Sequence, residues 1–315
     1  MSASLAIALV VIATLVGLGA AFGVTAYLAR QWRREQARRG LDSEADAGLD
    51  PGSRLARIGL EAPALHPEPA IQPIVLVHGV LGFDHVAVLG QRVVYFRGIA
   101  EILRSYGATV YTAKLPPLSS VPDRARALAE FVDALPCDRV NLVAHSMGGL
   151  DSRYALARCG LADRVSSLTT IATPHRGTPL ADLIAGVAGL MPLRALRAMV
   201  GQVGLDTAAV DWLTTHRTGV LNRDIEDIDE VLYGSIIGRA RRRAILGNPV
   251  LLSGHLYIAG RAGDNDGLVP ITSQCWGEIV EEIDADHWAQ IGWSRSYDVG
   301  PVYRRLIDHL RHHGL

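Results

Sequence analysis

The segment 140–154, VNLVAHSMGGLDSRY, restricts the fold more tightly than any other stretch of the chain. A β-branched, apolar run, Val140–Ala144, passes without a spacer into His145-Ser146-Met147-Gly148-Gly149, and helical spacing continues to Arg158. A serine at the joint of a buried strand and a helix must occupy a very tight turn. Strand and helix nearly touch there, so small residues are needed two positions before and two after it, and Ala144 and Gly148 meet that demand. The turn lifts the Ser146 hydroxyl above the sheet and aims the next N–H, that of Met147, at a site where negative charge can develop on oxygen. An inconsequential Ser-Gly turn is the bland alternative. The strand before, the helix after and the double glycine favour a catalytic serine.

The rest of the chain repeats the same alternation. Ile74–Val77 is a continuous apolar strand ending in His78-Gly79; residues 93–106 and 122–135 have helical spacing; Ala108–Ala113, Ser167–Ala172, His255–Ala259 and Glu278–Ile283 read as further strands. Apolar strands alternating with helices predict an α/β fold, its mostly parallel sheet covered by helices on both faces. Residues 178–254 are too many for a simple connection and predict an inserted helical cap, with an apolar stripe of Leu180, Leu183, Ile184, Val187, Leu190 and Met191. His309, His312 and His313 fall in a polar C-terminal tail.

A serine nucleophile requires a base, and the base an orienting acid. In a fold of this order both follow the serine, each after a strand. The loop after HLYIA carries Asp264 and Asp266. Gly263-x-x-Asp266-x-x-Val269-Pro270 favours Asp266, with Asp264 the fallback, although Asp and Gly also suit plain turns. Strand EIVEEI gives way to Asp284-Ala285-Asp286-His287, which makes His287 the expected base among 11 histidines. The turn His78-Gly79-Val80-Leu81-Gly82 should supply the second oxyanion donor, the Val80 N–H beside that of Met147.

The N-terminus reads differently. From Ala3 to Ala29 no side chain is charged, and at 1.5 Å per residue this run exceeds the ~20 residues that span a bilayer core. Residues 1–29 are therefore expected to be a transmembrane anchor rather than a signal peptide, whose apolar part is usually about 7–15 residues and follows basic ones. Arg30, Arg33, Arg34, Arg38 and Arg39 place the remainder on the cytoplasmic side by the positive-inside rule. Residues 30–71 form this basic flank and a proline-rich linker, and 72–315 the catalytic domain. The net charge of −1 argues against a nucleic-acid partner. The sole lysine, Lys114, lies in no Gly-Lys-Ser/Thr motif, which excludes a P-loop enzyme. Three scattered cysteines exclude a disulfide scaffold.

Taken together, PIVLVHGVLGF, YFRGIAEILRSYGATVYTAKL, VNLVAHSMGGLDSRYALA, LTTIATPHRGTPLAD and GDNDGLVP with the later His287 resemble the bacterial true-lipase family of α/β-hydrolases, over most of residues 73–290. The resemblance implies an α/β-hydrolase fold, hydrolysis of lipid carboxylic esters without a cofactor, a triad of Ser146, Asp266 and His287, and oxyanion amides at Val80 and Met147. Its calcium-binding members carry an aspartate two residues after the histidine, where this chain has Ala289, and another about twenty residues before the acid, where Arg243 and Ala244 stand. No structural calcium is therefore expected. A phospholipase A or lysophospholipase, an acyltransferase and a catalytically silent scaffold would share most of these features. Oligomeric state is not legible.

Overall fold

The computed structural model describes residues 71–80, 85–88, 91–116, 119–190, 207–246, 248–294 and 297–315. The expected anchor, the arginine-rich flank and nearly all of the linker lie outside the described residues. Among the described residues, no helix is long and apolar enough to cross a membrane.

Strand β1 (Ile74–Val77) shows how the layers arise. All four residues are buried; Ile74 and Leu76 join one core cluster and Val75 and Val77 the other. A strand presents alternate side chains to opposite faces, so an uninterrupted apolar run requires cover on both sides. A short antiparallel pair follows, β2 (His85–Val88) with β3 (Gln91–Val94), and then α1 (Ile99–Ser105). The helix expected over 93–106 is thus shorter, because its first residues belong to β3 and a turn.

The order continues with β4 (Val110–Thr112), α2 (Val121–Asp133), β5 (Val140–His145), α3 (Met147–Arg158) and β6 (Val165–Ile171). Next come α4 (Pro179–Leu190), α5 (Thr207–Asp211), α6 (Thr215–Asp224), β7 (Leu232–Gly238), α7 (Pro249–Ala262), α8 (Ile271–Gln274), β8 (Glu278–Ile283) and α9 (Gly300–His312). Six strands form one parallel sheet in the order β4-β1-β5-β6-β7-β8. Residues of α1 and α9 fill one face, and residues of α2 and α3 fill the other.

Three expectations are corrected. His255–Ala259 is not a strand but lies within α7, whose start is set by the Asn248 side chain accepting from Leu251 N–H and by Pro249 in the first turn. The strand in that part of the sheet is β7, inside the stretch read as cap; the insert therefore ends before residue 232. The C-terminal segment is not a polar tail. It is the amphipathic helix α9, with Val302, Tyr303, Leu306, Ile307 and Leu310 buried.

The N-terminal part of α4 is fastened to the body. Leu180 is buried, Thr178 Oγ1 donates to Leu268 O at 2.7 Å, and Asp182 accepts from the N–H and hydroxyl of Thr215. Met191, the last residue of the expected stripe, lies outside the described residues.

Candidate active site

A parallel sheet places the C-terminal ends of all its strands on one edge, and the turns that leave that edge build the site. Ser146 stands between β5 and α3 with φ 57° and ψ −128°, a left-handed conformation that costs a non-glycine residue on the order of 1–3 kcal/mol. The end of β6 and the segment after it hold it there. Its N–H donates to Ile171 O at 2.9 Å, and its carbonyl accepts from Thr173 Oγ1 at 2.8 Å. A serine before a helix normally folds its hydroxyl back onto the backbone as a cap. Ser146 makes no such bond, so its Oγ is not spent on the helix.

Gly148 leaves no room for a side chain. A Cβ there would lie 2.6 Å from Val77 O and 2.9 Å from His78 O, the backbone of the turn after β1. That turn also presses on the serine, since a Cβ on Gly79 would be 2.8 Å from the Cβ of Ser146. Val80 follows directly and packs, half-buried, in the same cluster as the buried Met147. As the first residue of α3, Met147 has its N–H outside the helical ladder.

The turn is braced by two buried side chains that the motif reading missed. Arg124, on α2, donates to His78 O at 2.7 Å, Gly79 O at 3.3 Å and Pro116 O at 2.7 Å. Its Nε pairs at 2.8 Å with Asp151 of α3, and both side chains are fully buried. Burial pushes the Asp151 carboxyl up to about 7 despite the guanidinium beside it. No fixed sequence spacing advertises this pair, because it joins two different helices.

Asp266 and His287 meet: Nδ1 of the histidine lies 2.7 Å from Oδ2 of the aspartate, with both side chains buried. The same oxygen accepts from Gln290 Nε2 at 3.2 Å, and Oδ1 accepts from the N–H groups of Leu268 and Val269. The backbone joins the two loops as well, His287 N–H donating to Asp266 O at 2.9 Å. Asp264, the fallback, is turned away: it is exposed and pairs with Arg239 at 3.3 Å.

The acid does not directly follow a strand, contrary to expectation, but comes after α7. Its loop is nevertheless tied to the end of β7. Ala240 N–H donates to Asn265 O, and Gln274 bridges the loop to the strand through Gly238 N–H, Gly238 O and Val269 O. After His287, Asp286 Oδ1 accepts from the N–H groups of Trp288 and Ala289.

The residues at the calcium positions of the resembling family do not fit a cation: Ala289, Arg243 and Ala244 offer no side-chain oxygen. The one potential metal-binding group among the described residues is Glu278, His309 and His313, with donor atoms within 4.8 Å of one another. Glu278 begins β8, so this trio lies toward the opposite edge of the sheet from the loops described above.

Residues 72–226 match the family model described as alpha/beta hydrolase fold. The chain is 34% identical over 281 residues to a triacylglycerol lipase of Pseudarthrobacter phenanthrenivorans, covering 69% of this chain and 86% of that protein. A triacylglycerol lipase of Burkholderia plantarii matches at the same identity, over 69% and 76% of the two chains. The chain belongs to the triacylglycerol-lipase family of α/β-hydrolases. Its fold resembles the crystal structure of a Bacillus licheniformis lipase in mature form, with a TM-score of 0.61 and 25% identity over 78% of this chain and 95% of that one. This lipase-family chain is a carboxylic ester hydrolase.

Proposed function

We propose that the chain is a membrane-anchored serine lipase or esterase acting on acyl esters of lipids, with Ser146 as nucleophile, His287 as base, Asp266 as orienting acid, and the Val80 and Met147 amides as oxyanion donors. One observation carries the site assignment: the buried 2.7 Å contact between His287 Nδ1, on the loop leaving β8, and Asp266 Oδ2, on the loop tied to the end of β7, at the sheet edge where Ser146 is held in a strained turn.

The chemistry follows from the proton positions. With Nδ1–H donated to Asp266, His287 Nε2 keeps a lone pair for the serine proton. Ser146 Oγ bonds to the acyl carbon as its proton passes to Nε2. The carbonyl oxygen takes the charge and is held by the two amides. Collapse breaks the ester C–O bond, and the leaving alcohol takes the proton from Nε2. Water then attacks the acyl-enzyme, gives a proton to Nε2 and releases the carboxylic acid. The returning proton restores Ser146.

The uncharged run at 3–29 and the arginines after it support an anchor with the domain on the cytoplasmic side. The run Arg239, Arg241, Arg242 and Arg243 is a second basic group that would face anionic head groups near the anchor; Arg239 and Arg241 pair with Asp264, Glu282 and Asp284, which leaves this contact to the exposed Arg242 and Arg243.

The deciding experiment is hydrolysis of nitrophenyl esters of short and long acyl chains by the full chain and by Ser146→Ala. A loss of about 10⁴-fold or more in the variant is expected. Equal rates in the two proteins would remove the assignment. Fractionation of cells should place the full chain with membranes and a chain lacking 1–40 in the soluble fraction. Recovery of both in the soluble fraction would remove the anchor.

A further inference from the structure

His145 stands immediately before Ser146, is fully buried, and uses both ring nitrogens. Nε2 lies 3.0 Å from the backbone carbonyl oxygen of His287, and Nδ1 lies 2.7 Å from the hydroxyl of Tyr95. A carbonyl only accepts, so Nε2 carries a hydrogen. Burial, together with the adjacent His287, holds the His145 pKa well below the usual histidine range, so the ring is neutral. Nδ1 is therefore a bare lone pair, and the Tyr95 hydroxyl must be the donor to it. The Tyr95 oxygen in turn accepts the N–H of Gly79 at 3.2 Å. Burial also raises the Tyr95 pKa, which keeps its hydrogen in place.

Each hydrogen in this chain has one permitted direction. It runs from Gly79 N–H to the Tyr95 oxygen, from the Tyr95 hydroxyl to His145 Nδ1, and from His145 Nε2–H to the His287 carbonyl. Its first member precedes Val80, and its last is the residue that carries the catalytic base. The rings of His145 and His287 also pack against each other, with centroids 4.6 Å apart. Tyr95 is anchored from a third side, its carbonyl accepting from Trp293 Nε1 at 2.7 Å, and the next amide but one, Arg97 N–H, donates to Ile291 O at 3.0 Å. Hence the segment after β3 is fastened to the stretch following His287.

We propose that Tyr95 and His145 are positioning residues, which couple the turn bearing the Val80 amide to the loop bearing His287 through one directed hydrogen-bond chain and so hold both at working distance from Ser146. The inference rests on the triad reading above. Neither residue needs to touch the substrate. Their effect is on geometry, and displacement of a catalytic group by about 1 Å costs on the order of 10²-fold in rate.

The test is kcat per active site, with sites counted by labelling Ser146 with a p-nitrophenyl phosphonate ester, in the full chain and in Tyr95→Phe, His145→Leu and His145→Gln. Counting sites removes the contribution of misfolded protein, so a packing role alone leaves this number unchanged. Tyr95→Phe removes a single oxygen and remains decisive where His145→Leu folds poorly. Expected is a fall of about 10-fold or more in kcat per labelled site for Tyr95→Phe and His145→Leu, with KM within about twofold. His145→Gln keeps an N–H for the His287 carbonyl and should recover part of the loss. Values of kcat per labelled site within twofold of wild type in Tyr95→Phe and His145→Leu would overturn the coupling alone. No phosphonate labelling, with Ser146→Ala as active as wild type, would overturn the triad reading and this proposal with it.

Discussion

Asp266 gives one carboxylate oxygen to His287 Nδ1 and Gln290 Nε2, and the other to two backbone N–H groups, while Asp264, two residues earlier, faces solvent beside Arg239. The loop thus separates two aspartates of identical chemistry into one saturated, buried acceptor and one surface ion pair.

That separation predicts opposite mutational outcomes. Asp266→Asn keeps the size of the side chain but sets an amide against His287 and favours the wrong tautomer, so kcat should fall by about 10⁴-fold. Asp264→Asn removes only an exposed pair, worth about 0–1 kcal/mol, and should leave kcat within about twofold. Parallel ester assays on the two variants check this; equal losses would reassign the acid.

Gly148 and the turn after β1 predict a second result. An alanine methyl would sit 2.6 Å from Val77 O, which is backbone and cannot rotate aside. The turn bearing Gly79 and Val80 must therefore move. Gly148→Ala should cost about 1–3 kcal/mol in stability, and about 10²-fold in kcat through the displaced oxyanion donor. Urea unfolding and steady-state rates read the two losses separately, and a variant with wild-type kcat would show that the turn can shift freely.

The elbow was legible because its demands are local. A strand, a serine and two small residues within nine positions leave few alternatives, and His287 follows from loop chemistry at the end of β8, whereas Asp266 is singled out by its turn motif although a helix, not a strand, precedes it. The part hidden from the sequence is of two kinds. In LYGSIIG and HLYIA, short runs carry no decisive period, and the β-branched and aromatic content of the second mimics a strand. The spacing of the buried Leu251, Gly254 and Ile258, with Asn248-Pro249 ahead of them, was the helical signal available for α7. Val302, Tyr303, Leu306, Ile307 and Leu310 gave an equally readable stripe for α9. Arg124–Asp151 and Tyr95–His145 are contacts between distant elements, which no local pattern encodes.

Arg124 serves both stability and geometry, and the two can be divided. Arg124→Met leaves the buried Asp151 without its partner and should cost about 3–5 kcal/mol. Adding Asp151→Leu removes the uncompensated group and should restore much of that stability. Activity should not return with it, since the turn has lost the guanidinium that bonds His78 O and Pro116 O, and Gly79 O keeps only the His78 ring as donor. Calorimetry paired with rates on both variants decides the point. Recovery of kcat together with Tm would mean that the guanidinium does not hold the turn.

Two buried histidines weaken the fold as the pH falls, while Asp151, its carboxyl raised to about 7, titrates in the opposite sense. The pKa values of His145 and His175 are both held well below 6.5, chiefly by burial; the nearby His287 adds to the effect at His145, and Arg153 and Arg176 add to it at His175. His175 donates from Nε2 to Thr170 Oγ1, which itself donates to Gly234 O, and its Nδ1 has no partner among the described residues. In the unfolded chain both rings take up a proton below about 6.5, while in the folded chain they stay neutral. The unfolded state then binds more protons, so the stability these groups support is complete above about pH 6.5 and is lost as the pH falls. Each ring contributes a slope of up to about 1.4 kcal/mol per pH unit. His175→Gln keeps a donor toward Thr170 and abolishes one of the two titrations. Urea unfolding between pH 5 and 7 should therefore show a shallower fall in stability for this variant, by about one proton's worth of slope. Identical slopes for the two proteins would mean that His175 takes up its proton equally in the folded and unfolded states.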